Sequence, residues 1–133
     1  MKFFRVLVLV SLVSILFGCT TLPPRVLSAE LGTQVNSGKI AKPTTMFEPG
    51  DRMIHLVVQV DNVVAGTTVG AKWYSVTPPR RLLFESELAL DVFNTSADFT
   101  LTTTGDWTPG QYEVVVFLDG KQSRTLAFSV KGE

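Results

Sequence analysis

From residue 52 onward, apolar and polar side chains alternate along the chain with a period of two. This is the spacing of a β-strand that buries one face and presents the other to water. The pattern predicts strands whose core-facing positions fall into five runs: Ile54, Leu56, Val58 and Val60; Val69, Ala71 and Trp73; Ala97, Phe99 and Leu101; Tyr112, Val114, Val116 and Leu118; Leu126, Phe128 and Val130.

Short segments rich in proline and glycine separate these runs, as expected for turns. They are Pro49-Gly50-Asp51, Ala65-Gly66, Pro78-Pro79, Pro109-Gly110 and Asp119-Gly120. The last lies between two alternating runs and predicts a β-hairpin, because an Asp-Gly pair accepts the positive φ angles of a type I′ turn.

Residues 82–93 fit two patterns. Four of their apolar side chains would share one face of a helix: Leu83, Phe84, Leu88 and Phe93. We favour two short strands, near 81–86 and 88–93, because the neighbouring segments are all strands, although the assignment of 81–94 stays open.

About seven or eight strands in roughly 110 residues predict a single antiparallel β-sandwich, an all-β fold. The order of the strands resembles an immunoglobulin or fibronectin type III sandwich over about residues 26–131, and Trp73 and the motif Pro109-Gly110-Gln111-Tyr112 carry the resemblance. The resemblance implies structural roles for Trp73 and Tyr112. Tyr112 would be the corner tyrosine, whose hydroxyl bonds the backbone just upstream. A different small sandwich or barrel with the same alternation is the alternative.

The N-terminus has the layout of a secretory signal. Lys2 and Arg5 precede the apolar run Val6–Phe17. The run suits a signal peptide and is shorter than the roughly 20 residues of a membrane-spanning helix.

The tetrapeptide Leu16-Phe17-Gly18-Cys19 ends this run and resembles the lipobox of bacterial lipoproteins. Leu16 matches the leading aliphatic position, Gly18 the small residue before cleavage, and Cys19 the lipidated thiol. Phe17 departs from the usual small side chain.

The lipobox resemblance implies diacylglycerol on Cys19, cleavage before it, and acylation of the new amine. Thr20 follows rather than Asp. In Gram-negative lipoproteins this implies the outer membrane, facing the periplasm, and a Gram-positive origin stays open. An ordinary cleaved signal and an uncleaved anchor are the alternatives.

These features divide the chain into three parts. Residues 1–18 are the expected signal peptide, residues 19–25 the lipidated cysteine with a Pro-rich tether, and residues 26–133 the sandwich domain. The two adjacent prolines of the tether favour an extended, stiff backbone. We therefore expect the domain to sit close to the membrane.

Charge and cysteine content narrow the range of functions. The chain carries 12 basic and 12 acidic residues, and loss of Lys2 and Arg5 leaves a small net negative charge. The absence of a basic patch in the sequence argues against nucleic acid and against electrostatic docking to anionic lipid. One cysteine cannot form an internal disulfide, so stability must come from burial and hydrogen bonding.

The sequence offers no recognisable catalytic motif. His55 is the single histidine, and its parity points it outward without further metal ligands at a recognisable spacing. Glu85 and Glu87 share one strand face, which we interpret as solvated. There is no Gly-x-Ser-x-Gly elbow and no glycine-rich phosphate loop. We expect no enzyme, no cofactor and no metal site.

Trp107 precedes Pro109-Gly110 in a predicted loop. We interpret it as a structural residue that covers one end of the core. The alternative is an exposed stacking surface, which would make the protein a small-molecule or glycan-binding module.

The alternation also predicts an outward-facing patch on one sheet: Lys72, Tyr74, Val115 and Phe117, with Thr125 and Ala127 beside them. Apolar patches with polar rims mark contact sites. We expect exposed Tyr74 and Phe117 to anchor a protein partner, unless a loop, residues 81–93 or the N-terminal segment covers this face. The leading hypothesis is a lipid-anchored, non-enzymatic module that binds or scaffolds another envelope protein.

Overall fold

The computed structural model describes residues 22–132, which form ten β-strands. The strands are β1 (Arg25–Gly32), β2 (Val35–Asn36), β3 (Lys39–Ile40), β4 (Met46–Phe47), β5 (Met53–Asp61), β6 (Thr67–Ser75), β7 (Arg81–Leu90), β8 (Ser96–Thr102), β9 (Gly110–Leu118) and β10 (Lys121–Val130). Within this range no helix has the length and hydrophobicity needed to cross a bilayer. The predicted signal peptide and Cys19 lie outside the described residues.

Two sheets form the layers of a sandwich. One has the order β1-β5-β8 and the other β4-β10-β9-β6-β7, while β2 and β3 make a separate hairpin. Neighbouring strands are antiparallel except for the short parallel pair of β4 and β10. The predicted all-β sandwich is confirmed, and the strands that contain Trp73, Tyr112 and Phe128 share one sheet as expected.

The core lies between the sheets and contains most of the residues that the alternation selected, although Leu118 and Leu126 are only partly buried. Leu31, Phe47 and Leu90 join it from outside the five runs. Trp73 is fully buried, and Phe128 packs edge-on against it with ring centroids 6.0 Å apart. Phe47 and Tyr112 contact the same phenylalanine ring, at 5.6 and 5.4 Å. Aromatic rings in these arrangements contribute more than their buried area alone.

The predicted Asp119-Gly120 hairpin is confirmed. Asp119 has φ 50° and Gly120 has φ 79°, and Leu118 pairs with Lys121 across the turn. Both positive φ angles are those of a type I′ turn.

The prediction of two short strands within 81–93 is wrong, because β7 runs unbroken from Arg81 to Leu90. Its pairing with β6 shifts by one residue where Trp73 opposes Phe84 and Tyr74 opposes Leu82. Such a bulge changes the parity of the side chains without ending the strand. The alternation therefore looks interrupted in the sequence although the hydrogen-bonded ladder continues.

Strand β7 extends beyond the cover that the opposite sheet provides. Phe84 and Leu88 pair with fully buried Trp73 and Val69 and thus face the core side of the sheet. They are nevertheless 47% and 39% exposed, whereas Leu90 on the same face is 3% exposed. The part of this face that carries Phe84 and Leu88 therefore lies outside the core.

Antiparallel pairing places the loops at two opposite ends of the sandwich. What we call the N-terminal end carries residues 22–24, 62–66, 91–95 and 119–120. The opposite end carries residues 48–52, 76–80 and 103–109.

Candidate functional surfaces

The predicted outward patch lies on the outer face of the five-stranded sheet, but it is not open. Lys72 pairs with Val115 across β6 and β9, and Gly70 pairs with Phe117. Val115 is only 5% exposed, and both Tyr74 and Phe117 are half-buried. The expectation of exposed aromatic anchors is therefore wrong.

Two cations cover the aromatic rings of this face. The Lys72 ammonium lies 4.9 Å from the centroid of the Phe117 ring, and the Arg80 guanidinium carbon lies 4.0 Å from that of Tyr74. Arg80 also forms an ion pair with Glu113. Cation–π contacts of this kind hold the two covering side chains in place. Lys72 and Arg80 therefore shield the rings of Phe117 and Tyr74, which strand parity alone predicts to be exposed.

The exposed apolar side chains cluster instead on β7. We define the β7 edge surface as Leu82, Leu83, Phe84 and Leu88, which are all exposed. Within residues 22–132 this strand pairs with β6 alone, so its other edge presents backbone N–H and C=O groups without strand partners. From the sequence, residues 81–93 were one of three possible covers for the outer face, and no contact surface was predicted on them. The apolar run Leu82-Leu83-Phe84 is the sequence signal for this surface.

A cavity of about 500 Å³ opens at the opposite end of the sandwich. Trp107, Tyr112, Leu83 and Leu101 supply its apolar lining, and Arg81 and Asp106 bring charge. Its hydroxyl groups come from Ser75, Tyr112 and four threonines: Thr77, Thr102, Thr103 and Thr108. The arrangement is concave, with an aromatic wall and convergent polar groups, as in sites for small polar ligands.

Trp107 closes the core at this end. Its side chain is buried, its indole N–H donates to the Asp51 carbonyl at 2.7 Å, and its ring packs edge-on against Tyr112 at 5.4 Å. The nitrogen is therefore already bonded, and the ring lines the cavity without projecting into solvent.

Tyr112 is held at the start of β9. Its hydroxyl donates to the carbonyl of Thr108, four residues upstream. Burial raises the pKa of Tyr112, although the nearby positive charge of Arg81 acts in the opposite direction. The phenol therefore remains a neutral donor at physiological pH.

His55 lies on the outer face of the three-stranded sheet, on the side that its parity predicts. Its Nδ1 lies 3.2 Å from Asp98 Oδ1 and 3.0 Å from Thr100 Oγ1. Among residues 22–132 no cluster of three or more His, Cys, Asp or Glu side chains is arranged to hold a metal ion. Glu85 and Glu87 are exposed on β7.

Comparison with known proteins identifies the fold. The sequence matches no protein-family model and no curated protein sequence. An immunoglobulin-like protein from Pseudomonas aeruginosa superposes with a TM-score of 0.59 at 15% identity, over 84% of this chain and 99% of that one. The described residues therefore form an immunoglobulin-like β-sandwich.

A second solved structure contains a similar domain. It is an alkylpurine DNA glycosylase from Pseudomonas fluorescens, bound to DNA containing an abasic site analog. The TM-score is 0.52 at 12% identity, and the match covers 82% of this chain but 30% of the glycosylase. At such low identity the likeness concerns the fold and not the activity.

Proposed function

We propose that this protein is a lipid-anchored, non-enzymatic module of the bacterial envelope that binds another envelope protein along strand β7. The lipobox-like Leu16–Cys19 and the short Pro-rich tether support the anchor. Thr20, rather than Asp, follows Cys19. By resemblance to Gram-negative lipoproteins, this supports attachment to the outer membrane, facing the periplasm. The single observation that supports protein binding best is the β7 edge surface.

Strand addition is the binding mode that suits this surface. An extended segment of the partner pairs with the free edge of β7 and satisfies its backbone N–H and C=O groups. Phe84 and Leu88 then receive apolar side chains from the partner, because both project from the same face of the sheet. Main-chain pairing gives affinity, and these side chains give selectivity.

The charges along β7 define the partner strand further. Glu85 and Glu87 project from the other face of β7 and are exposed. Lys72 lies 3.9 Å from Glu85, while Glu87 forms no ion pair with any of the described residues. A partner strand with basic side chains between apolar ones complements both faces, and opposite charges across strands are stabilising.

Site-specific photocrosslinking in native membranes tests this proposal. A photoreactive phenylalanine analogue replaces Phe84 in the lipidated protein, and a matched control places it at Leu27, which is 50% exposed on β1. We expect a discrete adduct with another envelope polypeptide at position 84 and none at position 27. Equal labelling at both positions, or none at 84, would contradict the proposal.

The cavity beside Trp107 favours a second candidate function, the binding of a small molecule or glycan. Its volume of about 500 Å³ lies within the usual range for ligand sites. Titration with soluble envelope glycan fragments, followed by tryptophan fluorescence, tests it. Saturable quenching that Arg81→Ala weakens supports the candidate, and an unchanged spectrum excludes it for the fragments tested.

A further inference from the structure

The N-terminal end of the sandwich carries apolar side chains in loops, where polar ones are usual. We define the N-terminal end surface as Leu22, Val64, Val92 and Phe93, which are all exposed. Phe93 is 97% exposed, so its ring contacts almost nothing in the domain. A fully exposed phenylalanine at a loop tip gives the fold no burial energy, and it therefore points to an external contact.

Hydrogen bonds and strand pairing hold these loops side by side. The Asn62 side-chain amide donates to the Pro23 carbonyl at 3.3 Å, which ties the loop after β5 to the N-terminal segment. Thr67 pairs with Leu90, and the Val60 N–H donates to the Thr95 carbonyl at 3.0 Å. The loop that carries Val64 and the turn that carries Phe93 thus lie next to each other.

The turn after β7 is built to project Phe93. Asp91 Oδ1 accepts the backbone N–H of Phe93 at 2.8 Å and that of Asn94 at 2.9 Å. Asp91 and Asn94 also exchange backbone hydrogen bonds. Such side-chain-to-backbone bonding closes a tight turn, and it leaves the side chains at its tip outside the domain.

The carboxylates around this end are already engaged. Asp61 pairs with Arg25 at 3.3 Å, and Asp119 accepts the Thr68 N–H at 2.9 Å. With Asp91 bonded in the turn, these three carboxylates all have partners within the domain.

The chain between the lipid and the sandwich sets the distance of this end from the bilayer. Only two residues separate Cys19 from Leu22. A chain extends by at most about 3.3–3.6 Å per residue, so Leu22 lies within roughly 10 Å of Cys19. That distance is similar to the depth of about 5–10 Å at which interfacial apolar groups insert into a bilayer.

From this geometry we infer that the N-terminal end surface rests on the bilayer that holds the lipid, with the Phe93 ring inserted at the headgroup boundary. The inference depends on the proposed lipid anchor. The anchor tethers the domain, and the apolar loops orient it. The strands then point away from the membrane, and the cavity at the opposite end faces the aqueous compartment.

Tryptophan quenching by brominated lipid tests the inference. Lipidated Phe93→Trp protein is reconstituted into vesicles of phosphatidylethanolamine and phosphatidylglycerol, with and without dibrominated phosphatidylcholine. We expect blue-shifted emission from residue 93 and loss of most of it with brominated lipid. The matched control, Met53→Trp at the opposite end, should emit as a solvated indole without quenching. Native Trp73 and Trp107 are buried and give a constant background.

Flotation of the same vesicles distinguishes failure of the proposed lipid anchor from failure of the inferred bilayer contact. If the protein does not float, the lipid anchor and the inference are both wrong. If it floats but residue 93 stays solvated, the anchor stands and the bilayer contact is overturned. A blue shift without lipid quenching means that protein covers Phe93, which also overturns the bilayer contact. Val64→Trp serves as a second reporter, with the same result expected.

Discussion

Among individual residues, Tyr112 joins the core to the loop in front of it. Its ring stacks on Phe128, and its hydroxyl reaches the Thr108 carbonyl. Trp107 packs edge-on against the same tyrosine ring. One side chain therefore connects strand β9, the aromatic core and the wall of the cavity.

We expect Tyr112→Phe to lower the free energy of unfolding by about 1 kcal/mol, the usual net contribution of one hydrogen bond. Denaturant unfolding of both proteins measures the difference. Thr108→Ala is the matched control, because the acceptor is its backbone carbonyl and not its side chain. Equal stability of Tyr112→Phe and the parent would contradict the role of this bond.

The same hydroxyl predicts a loss of stability at alkaline pH. Burial raises the pKa of Tyr112 above its usual value of 10.0, so the folded state holds this proton more tightly than the unfolded state. Its contribution is complete below pH 10.0 and is lost as pH rises toward the folded pKa.

Unfolding measured across this alkaline range should show a steeper decline for the parent than for Tyr112→Phe. Lys131 also has a raised pKa, through its hydrogen bond and charge interaction with Glu48, and contributes a decline of the same sign to both proteins. Parallel curves would show that Tyr112 does not titrate differently on folding.

Among the strands, β7 differs most from its neighbours. Phe84 and Leu88 lie beyond the opposite sheet, while Leu90 at the end of the strand is buried. An exposed edge strand with large apolar side chains is a risk for aggregation unless it is paired or covered. This is the physical reason to expect a partner there.

A pair of lysine substitutions tests how far the core extends under β7. Leu88→Lys should change the free energy of unfolding by no more than about 0.5 kcal/mol, as is usual for surface sites. Leu90→Lys, on the same strand and face, should cost several kcal/mol or prevent folding, because it buries an unpaired charge. Thermal unfolding measures both, and similar losses would mean that Leu88 belongs to the core.

For the molecule as a whole, attachment and orientation are separate problems. Each buried lipid CH₂ contributes about 0.8 kcal/mol, and stable anchoring takes more than one chain. The proposed anchor alone would fix the position of the domain but not its tilt. The short tether and the N-terminal end surface would restrict the tilt and leave the β7 edge accessible to a partner in the same membrane.

We expect Cys19→Ser to leave the precursor unprocessed or to release the protein from the membrane. Membrane fractionation, with mass spectrometry of the N-terminus, measures the outcome. Thr20→Ser is the control, since it keeps the thiol. Unchanged fractionation and an acylated N-terminus in Cys19→Ser would refute the lipobox assignment.

Alternation was sufficient to predict β5, β6, β8, β9 and β10, because a period of two on a half-buried strand is a local property. The Asp119-Gly120 hairpin is local too, since two adjacent residues carry the positive φ angles. The bulge beside Trp73 belongs to the pairing of two strands, and the sequence of one strand does not reveal it.

The sequence was therefore enough for the fold class and the core positions of most strands, since each depends on neighbours along the chain. The lipobox-like signal is a local pattern too, and it stays a prediction. Exposure of the candidate surfaces depended on contacts between distant segments. Lys72 shields Phe117 on the next strand, and Arg80 shields Tyr74. Strand β7 stays uncovered because the opposite sheet ends at β8. Parity tells which way a side chain points, but only the packed chain determines what lies above it.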